Sequence, residues 1–182
     1  MTAIVSTFLD VELGKGKYLF FLIALSDYES AIREQLDKQW LPFGADLGVD
    51  GTAIKAYDQK MKSTWDEIQQ KKWPDAIRER MESEQDPYML IIDKKFEEFN
   101  PIEHRWSIVW FSDFMSKPES IYRFFGSLAK KVRAGEDIFE WTAGVAKKQK
   151  YSKMAKYFSI KPGIFGASVD VKAALEDLAG VK

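Results

Sequence analysis

Tyr18 to Leu25 read YLFFLIAL, an unbroken apolar run with neither charge nor alternation. A half-buried strand alternates, and an amphipathic helix repeats its apolar residues every three or four positions, so this run describes a strand covered on both faces inside an α/β sheet. It is therefore predicted to be the central strand. It is far shorter than the roughly 20 apolar residues that span a bilayer. Lys15 and Lys17 ahead of it are not followed by the long apolar region and small-residue cleavage site of a signal peptide, so no transmembrane segment and a cytoplasmic location are expected.

Working outward, Ser26 and Glu29 match the S-x-x-E capping box, in which each side chain accepts a bond from an otherwise unpaired amide. A helix from about Asp27 to Trp40 is predicted, with Tyr28, Ile32, Leu36 and Trp40 on one face. LPFGADLGVDG, Leu41 to Gly51, carries one Pro and three Gly and reads as a loop. Ile54, Tyr57, Met61, Trp65 and Ile68 then share a helical face, and Pro74 suits the first turn of a further helix reaching about Glu84. Two helices are thus expected between the first strand and the next.

YMLII, Tyr88 to Ile92, and WSIVWF, Trp106 to Phe111, are predicted as two more buried strands. Lys94 to Arg105 between them is about the shortest parallel crossover, and Asn100-Pro101 interrupts any helix there, so parallel and antiparallel pairings both remain open. Ser116, Pro118 and Glu119 form a second capping box ahead of the apolar stripe Ile121, Phe124, Phe125, Leu128 and Val132. EDIFEWTAGVAKK and KYSKMAKYF read as shorter helices, followed by a turn at Pro162-Gly163, an edge strand and a last helix from about Asp170 to Leu178. The fold class expected is one α/β domain over 1–182. A small, mainly parallel or mixed sheet of three to five strands and its flanking helices occupy 1–135, and a helical, basic elaboration occupies 136–182.

Composition narrows the chemistry. With 46% hydrophobic and 30% charged residues the chain is expected to be ordered and globular. The absence of cysteine removes disulfides, thiolate metal sites and cysteine nucleophiles. A net charge of −1 hides an uneven distribution, because Lys130 to Lys161 holds Lys130, Lys131, Arg133, Lys147, Lys148, Lys150, Lys153, Lys156 and Lys161 against only Glu136, Asp137 and Glu140. GKGK at Gly14 precedes a strand rather than joining a strand to a helix, so it is no phosphate loop, and no G-x-G-x-x-G or G-x-S-x-G is present.

Candidate residues fall into three groups. Ser26, Asp27, Asp93, Ser112 and Asp113 each follow a strand, and parallel strands would gather them at the carboxyl edge where ligands of open α/β sheets bind. There a carboxylate would act as a base or hold Mg²⁺, although serine and aspartate also begin helices simply by capping them. His104, the only histidine, shares a short loop with Asp93, Glu97, Glu98 and Glu103, which supplies the residue types for a general base but lacks a second histidine for a metal. That loop also reads as a plain connection, with a charged solvated face and with Phe96 and Phe99 pinning it to the core. Lys150, Lys153 and Lys156 lie opposite Tyr151, Met154 and Phe158 in a lysine-rich segment, suited to an anionic ligand or nucleic acid and equally to a solvated helix face. The six tryptophans are expected mainly in the core, with Trp73 and Trp106 flanking element starts.

The strand ending ALSD, the helix after it and the later AIRERMESEQDPYMLIID resemble the rhythm of Toll/interleukin-receptor domains over part of the chain, departing from it where a second strand should lie. No residue role is taken from that resemblance. Two functions are expected. The first is a regulatory or interaction domain binding a partner protein or an anionic ligand through Ser26, Asp113, Lys150, Lys153 and Lys156. The alternative is a nucleotide-directed enzyme, a hydrolase or a Toll/interleukin-receptor-like effector, using Asp27, Asp93 or His104 at the sheet's carboxyl edge.

Overall fold

The computed structural model describes residues 2–5, 7–9, 11, 16–24, 31–56, 60–83, 87–111 and 120–142. Their elements in chain order are β1 (Thr2–Val5), β2 (Tyr18–Ile23), α1 (Ala31–Leu47), β3 (Gly51–Ala56), α2 (Met61–Gln69), α3 (Asp75–Ser83), β4 (Tyr88–Ile92), β5 (Trp106–Trp110) and α4 (Ser120–Arg133). The strands form one mixed sheet in the order β1-β3-β2-β4-β5. β2 is central, and every one of its residues is buried, as its unbroken apolar sequence requires. β1, β3 and β2 run parallel, while β4 is antiparallel to both β2 and β5. The connection from Asp93 to Arg105 therefore makes a return, not a crossover.

The alternation of side chains across the sheet divides the core in two. Tyr18, Phe20 and Leu22 of β2, with Ala53, Met89, Ile91 and Val109, pack against α1, α4 and a helical turn at 138–142. Leu19, Phe21 and Ile23, with Ile54, Leu90, Ile92, Trp106 and Ile108, face α2, α3 and the 93–105 loop. The result is a layered α/β fold.

Two expectations need correction. Gly51 to Ala56 form β3, not the start of a helix. Ile54, Met61, Trp65 and Ile68 do mark one buried surface, but a strand and a helix share it. The segment 41–47 is helix, not loop, with Pro42 inside α1. An internal proline costs about 3 kcal/mol, whereas burying Trp40, Phe43 and Leu47 returns roughly 1.5–3 kcal/mol each, so packing decides the outcome. Gly48, at φ 62°, supplies the left-handed residue that ends the helix. Gly44 lets α1 approach β1, since a Cβ there would lie 1.7 Å from Thr2 Oγ1. The segments expected to cap α1 and α4, and the helices expected beyond residue 142, lie outside the described residues.

Candidate functional site

Strand direction decides which polar residues can meet. Ile23 pairs with Tyr88 and Tyr88 with Trp110, so β2 and β5 end at one edge, where β4 begins. Leu19 pairs with Ile92 and Ile92 with Trp106, so β4 ends at the opposite edge. Asp93 is thus separated by the length of the strands from the ends of β2 and β5. It is the antiparallel course of β4 that places Asp93 away from those carboxyl ends. Ser26, Asp27, Ser112, Asp113, Lys150, Lys153 and Lys156 themselves lie outside the described residues.

Asp93 joins a group that its sequence neighbours do not suggest. Tyr18, Asp93 and Arg105 adjoin the paired residues Leu19, Ile92 and Trp106, which places them side by side across three strands. Arg105 donates from one Nη to both oxygens of Asp137, at 2.6 and 2.5 Å, and its guanidinium lies 4.5 Å from the centre of the Phe139 ring. Asp137 also accepts the amides of Phe139 and Glu140, so it caps the helical turn 138–142. Burial pushes the Asp137 carboxyl up, but the Arg105 bond and charge and the two amides outweigh this and hold it below the usual carboxylate range. Arg105 is correspondingly raised: burial pulls it down, and the bond and charge of Asp137, with the charges of Asp93 and Tyr18, more than compensate. The Tyr18 hydroxyl is buried and has no hydrogen-bond partner among the described residues. A single ordered water would satisfy it.

The acidic loop is built as a connection. Phe96 and Phe99 are buried, and Lys71 clips the loop from outside by donating to the carbonyls of Phe96 and Glu97 at 2.8 and 3.3 Å. Burial pulls the Lys71 ammonium below its ordinary value, against the opposing charge of Glu97. Asn100 Oδ1 accepts the Ile102 amide, and His104 Nδ1 accepts the Asn100 amide at 3.0 Å. One histidine nitrogen is therefore committed to the backbone and is not available to take a proton from a substrate. Trp73 and Trp106 meet edge to face at 5.1 Å in the core, and their indole N–H groups donate to Ile68 and Pro101 carbonyls.

At the carboxyl edge of β2 and β5, Arg80 is only 8% exposed and lies 4.2 Å from the centre of the Trp110 ring, which also packs on Tyr88 at 5.0 Å. Burial pushes the Tyr88 hydroxyl far above its ordinary range. Such a phenol stays protonated at any physiological pH, so it can donate a bond but cannot serve as a base. Among the described residues no three histidine, cysteine, aspartate or glutamate side chains gather closely enough to hold a metal ion, and no helix is long and apolar enough to cross a membrane.

The outer face of α4 is a second polar surface, and the charges it carries are cations alone. Ile121, Phe124, Phe125, Leu128, Ala129 and Val132 bury its inner face. Tyr122, Arg123, Gly126, Ser127, Lys130 and Arg133 are exposed on the other, and the helix contains no acidic residue. Lys131 is bound by Glu136 at 2.6 Å, whereas among the described residues Arg123, Lys130 and Arg133 take part in no ion pair. Tyr122 could have been singled out from sequence, because it stands one residue off the apolar stripe. The Arg105–Asp137 pair had no such signal, being brought together across 32 residues by the packing of α4 and the turn after it against the sheet. Comparison of the chain with protein-family models, with curated proteins and with solved structures finds no match to it.

Proposed function

We propose that this is a binding domain without chemistry of its own, and that its partner is anionic and docks on the outer face of α4. The supporting observation is the set of exposed cations Arg123, Lys130 and Arg133, which have no ion-pair partner among the described residues, on a helix that contains no acid. Cations that no carboxylate holds can replace the counterions of a polyanion, and their release favours binding at low salt. The other reactive-looking groups are differently employed: His104 Nδ1 holds the Asn100 amide, and Arg105 is held by Asp137. An enzyme working at the carboxyl edge would have to draw on Asp27 and Asp113 without Asp93, which weakens that alternative.

The test is retention of the full chain on an immobilised polyanion. Wild type should bind at low salt and elute steeply as salt rises, and the triple variant Arg123→Glu, Lys130→Glu, Arg133→Glu should lose most of its retention while keeping its fold. Equal retention of the two proteins, or no retention of either at low salt, would remove the proposal.

A further inference from the structure

We infer that the anion is a single-stranded nucleic acid and that Tyr122 is the surface on which an unpaired base stacks. This rests on the reading of α4 as an anion-binding face and names its partner. Tyr122 is 65% exposed, the most open of the aromatic side chains among the described residues, and adjoins Arg123. Helical side chains lean toward the N-terminus, so the residue four positions on ordinarily covers a ring. That residue is Gly126, and a Cβ built there would find nothing within 4 Å. No neighbour among the described residues requires a glycine at this place, and glycine weakens an exposed helix interior relative to alanine. Glycine at 126 places no side chain on the turn that would lean over the Tyr122 ring.

A bare aromatic face beside unpaired cations is the combination that single strands use: the ring takes a base of any sequence, and the cations follow the backbone. Arg123 to Arg133 extend over about 15 Å of helix axis, enough for several phosphates. A duplex keeps its bases stacked inside and would meet only the cations. An anionic membrane suits α4 less well, because the apolar residues of this amphipathic helix are already buried in the core and none remains to enter the lipid.

The experiment measures binding of the full chain at low salt to a fluorescent oligothymidylate, to an abasic oligomer of equal length, to polyphosphate, to an acidic peptide and to phosphatidylserine vesicles. The oligothymidylate should bind roughly tenfold more tightly than the abasic oligomer, a difference in the range that one stacked base supplies. Tyr122→Ala should abolish that difference and Tyr122→Trp should preserve it. Gly126→Leu, which covers the ring, should reduce oligothymidylate binding and leave abasic binding unchanged. Tyr122 and Gly126 are exposed, so these variants should retain the fold, which circular dichroism checks. Equal binding of oligothymidylate, abasic oligomer and polyphosphate, unaffected at position 122, would overturn the nucleic-acid inference while leaving the anionic reading in place. Binding of only the peptide or only the vesicles would overturn it in the same way. Failure of every probe would overturn both.

Discussion

The 93–105 loop and the outer face of α4 invert the impression their sequences make. The loop gathers carboxylates, lysines and the only histidine, yet it is pinned by bonds to its own backbone: Lys71, from outside, binds two of its carbonyls, His104 binds the Asn100 amide and Trp106 binds Pro101. α4 reads as an ordinary amphipathic helix, yet its outer face leaves Arg123, Lys130 and Arg133 without ion-pair partners among the described residues. Residue types alone do not distinguish the two. What distinguishes them is that His104 and the neighbouring Lys71 are spent on the loop's backbone, and a side chain so spent has less left to offer a ligand. Substitutions at the groups that pin the loop should therefore destabilise the protein, and those on α4 should change its stability little.

The largest effect is expected at Trp106. It is 1% exposed, meets Trp73 edge to face and donates its indole N–H to Pro101. Trp106→Ala should cost about 3–5 kcal/mol in urea unfolding, through the cavity and the unpaired carbonyl together. A loss below about 1 kcal/mol would mean that the loop is not anchored through this residue.

The Arg105–Asp137 pair comes next. Its side chains are 29% and 33% exposed, so solvent screens part of the interaction, and Asp137→Asn should cost about 1–2 kcal/mol at neutral pH. Asp137 is lowered in the folded state, so it binds fewer protons there than in the unfolded chain. Its contribution is complete above the ordinary carboxylate value of about 3.9 and disappears as pH falls through the lower folded value. Unfolding of wild type and Asp137→Asn should therefore converge in acid. A gap between them that stays constant from neutral pH into strong acid would contradict the pairing.

A smaller effect is expected at His104. Truncation to alanine deprives the partly buried Asn100 amide of its acceptor, and the cost should be about 1 kcal/mol. Faster hydrogen exchange at that amide should accompany it. An unchanged exchange rate would show that the ring does not protect the turn.

The same distinction between local pattern and tertiary use explains what could be read in advance. YLFFLIAL, YMLII and WSIVWF announce strands because burial on both faces leaves continuous apolar runs. The α4 stripe is legible because its apolar spacing agrees with its packing. β3 was hidden because Ile54 continues, by spacing, the buried face of α2, and β1 because four residues are too few to establish a period. The helical course of α1 through Pro42 depends on Trp40, Phe43 and Leu47 meeting partners that local sequence does not reveal. At the candidate site, the direction of β4 decides that Asp93 joins Arg105 and Tyr18 rather than the ends of β2 and β5. That direction is a property of the sheet and has no local code.

The smallest expected effects on stability are on α4, and at Gly126 the expected change is a gain. With open space where its Cβ would be, Gly126→Ala should stabilise the protein by about 0.5–1 kcal/mol, because alanine loses less backbone freedom on entering a helix. Arg123→Glu and Lys130→Glu should shift stability by only about 0.5 kcal/mol either way, being exposed and unpaired. Thermal unfolding of the three variants sharpens the contrast with the loop, whose polar groups stabilise the fold. If Gly126→Ala were instead destabilising, the glycine would have a structural purpose, and its presence would no longer point to a ligand over Tyr122. If it is stabilising, glycine at 126 serves no packing need among the described residues, as the reading of Tyr122 as an open stacking surface expects.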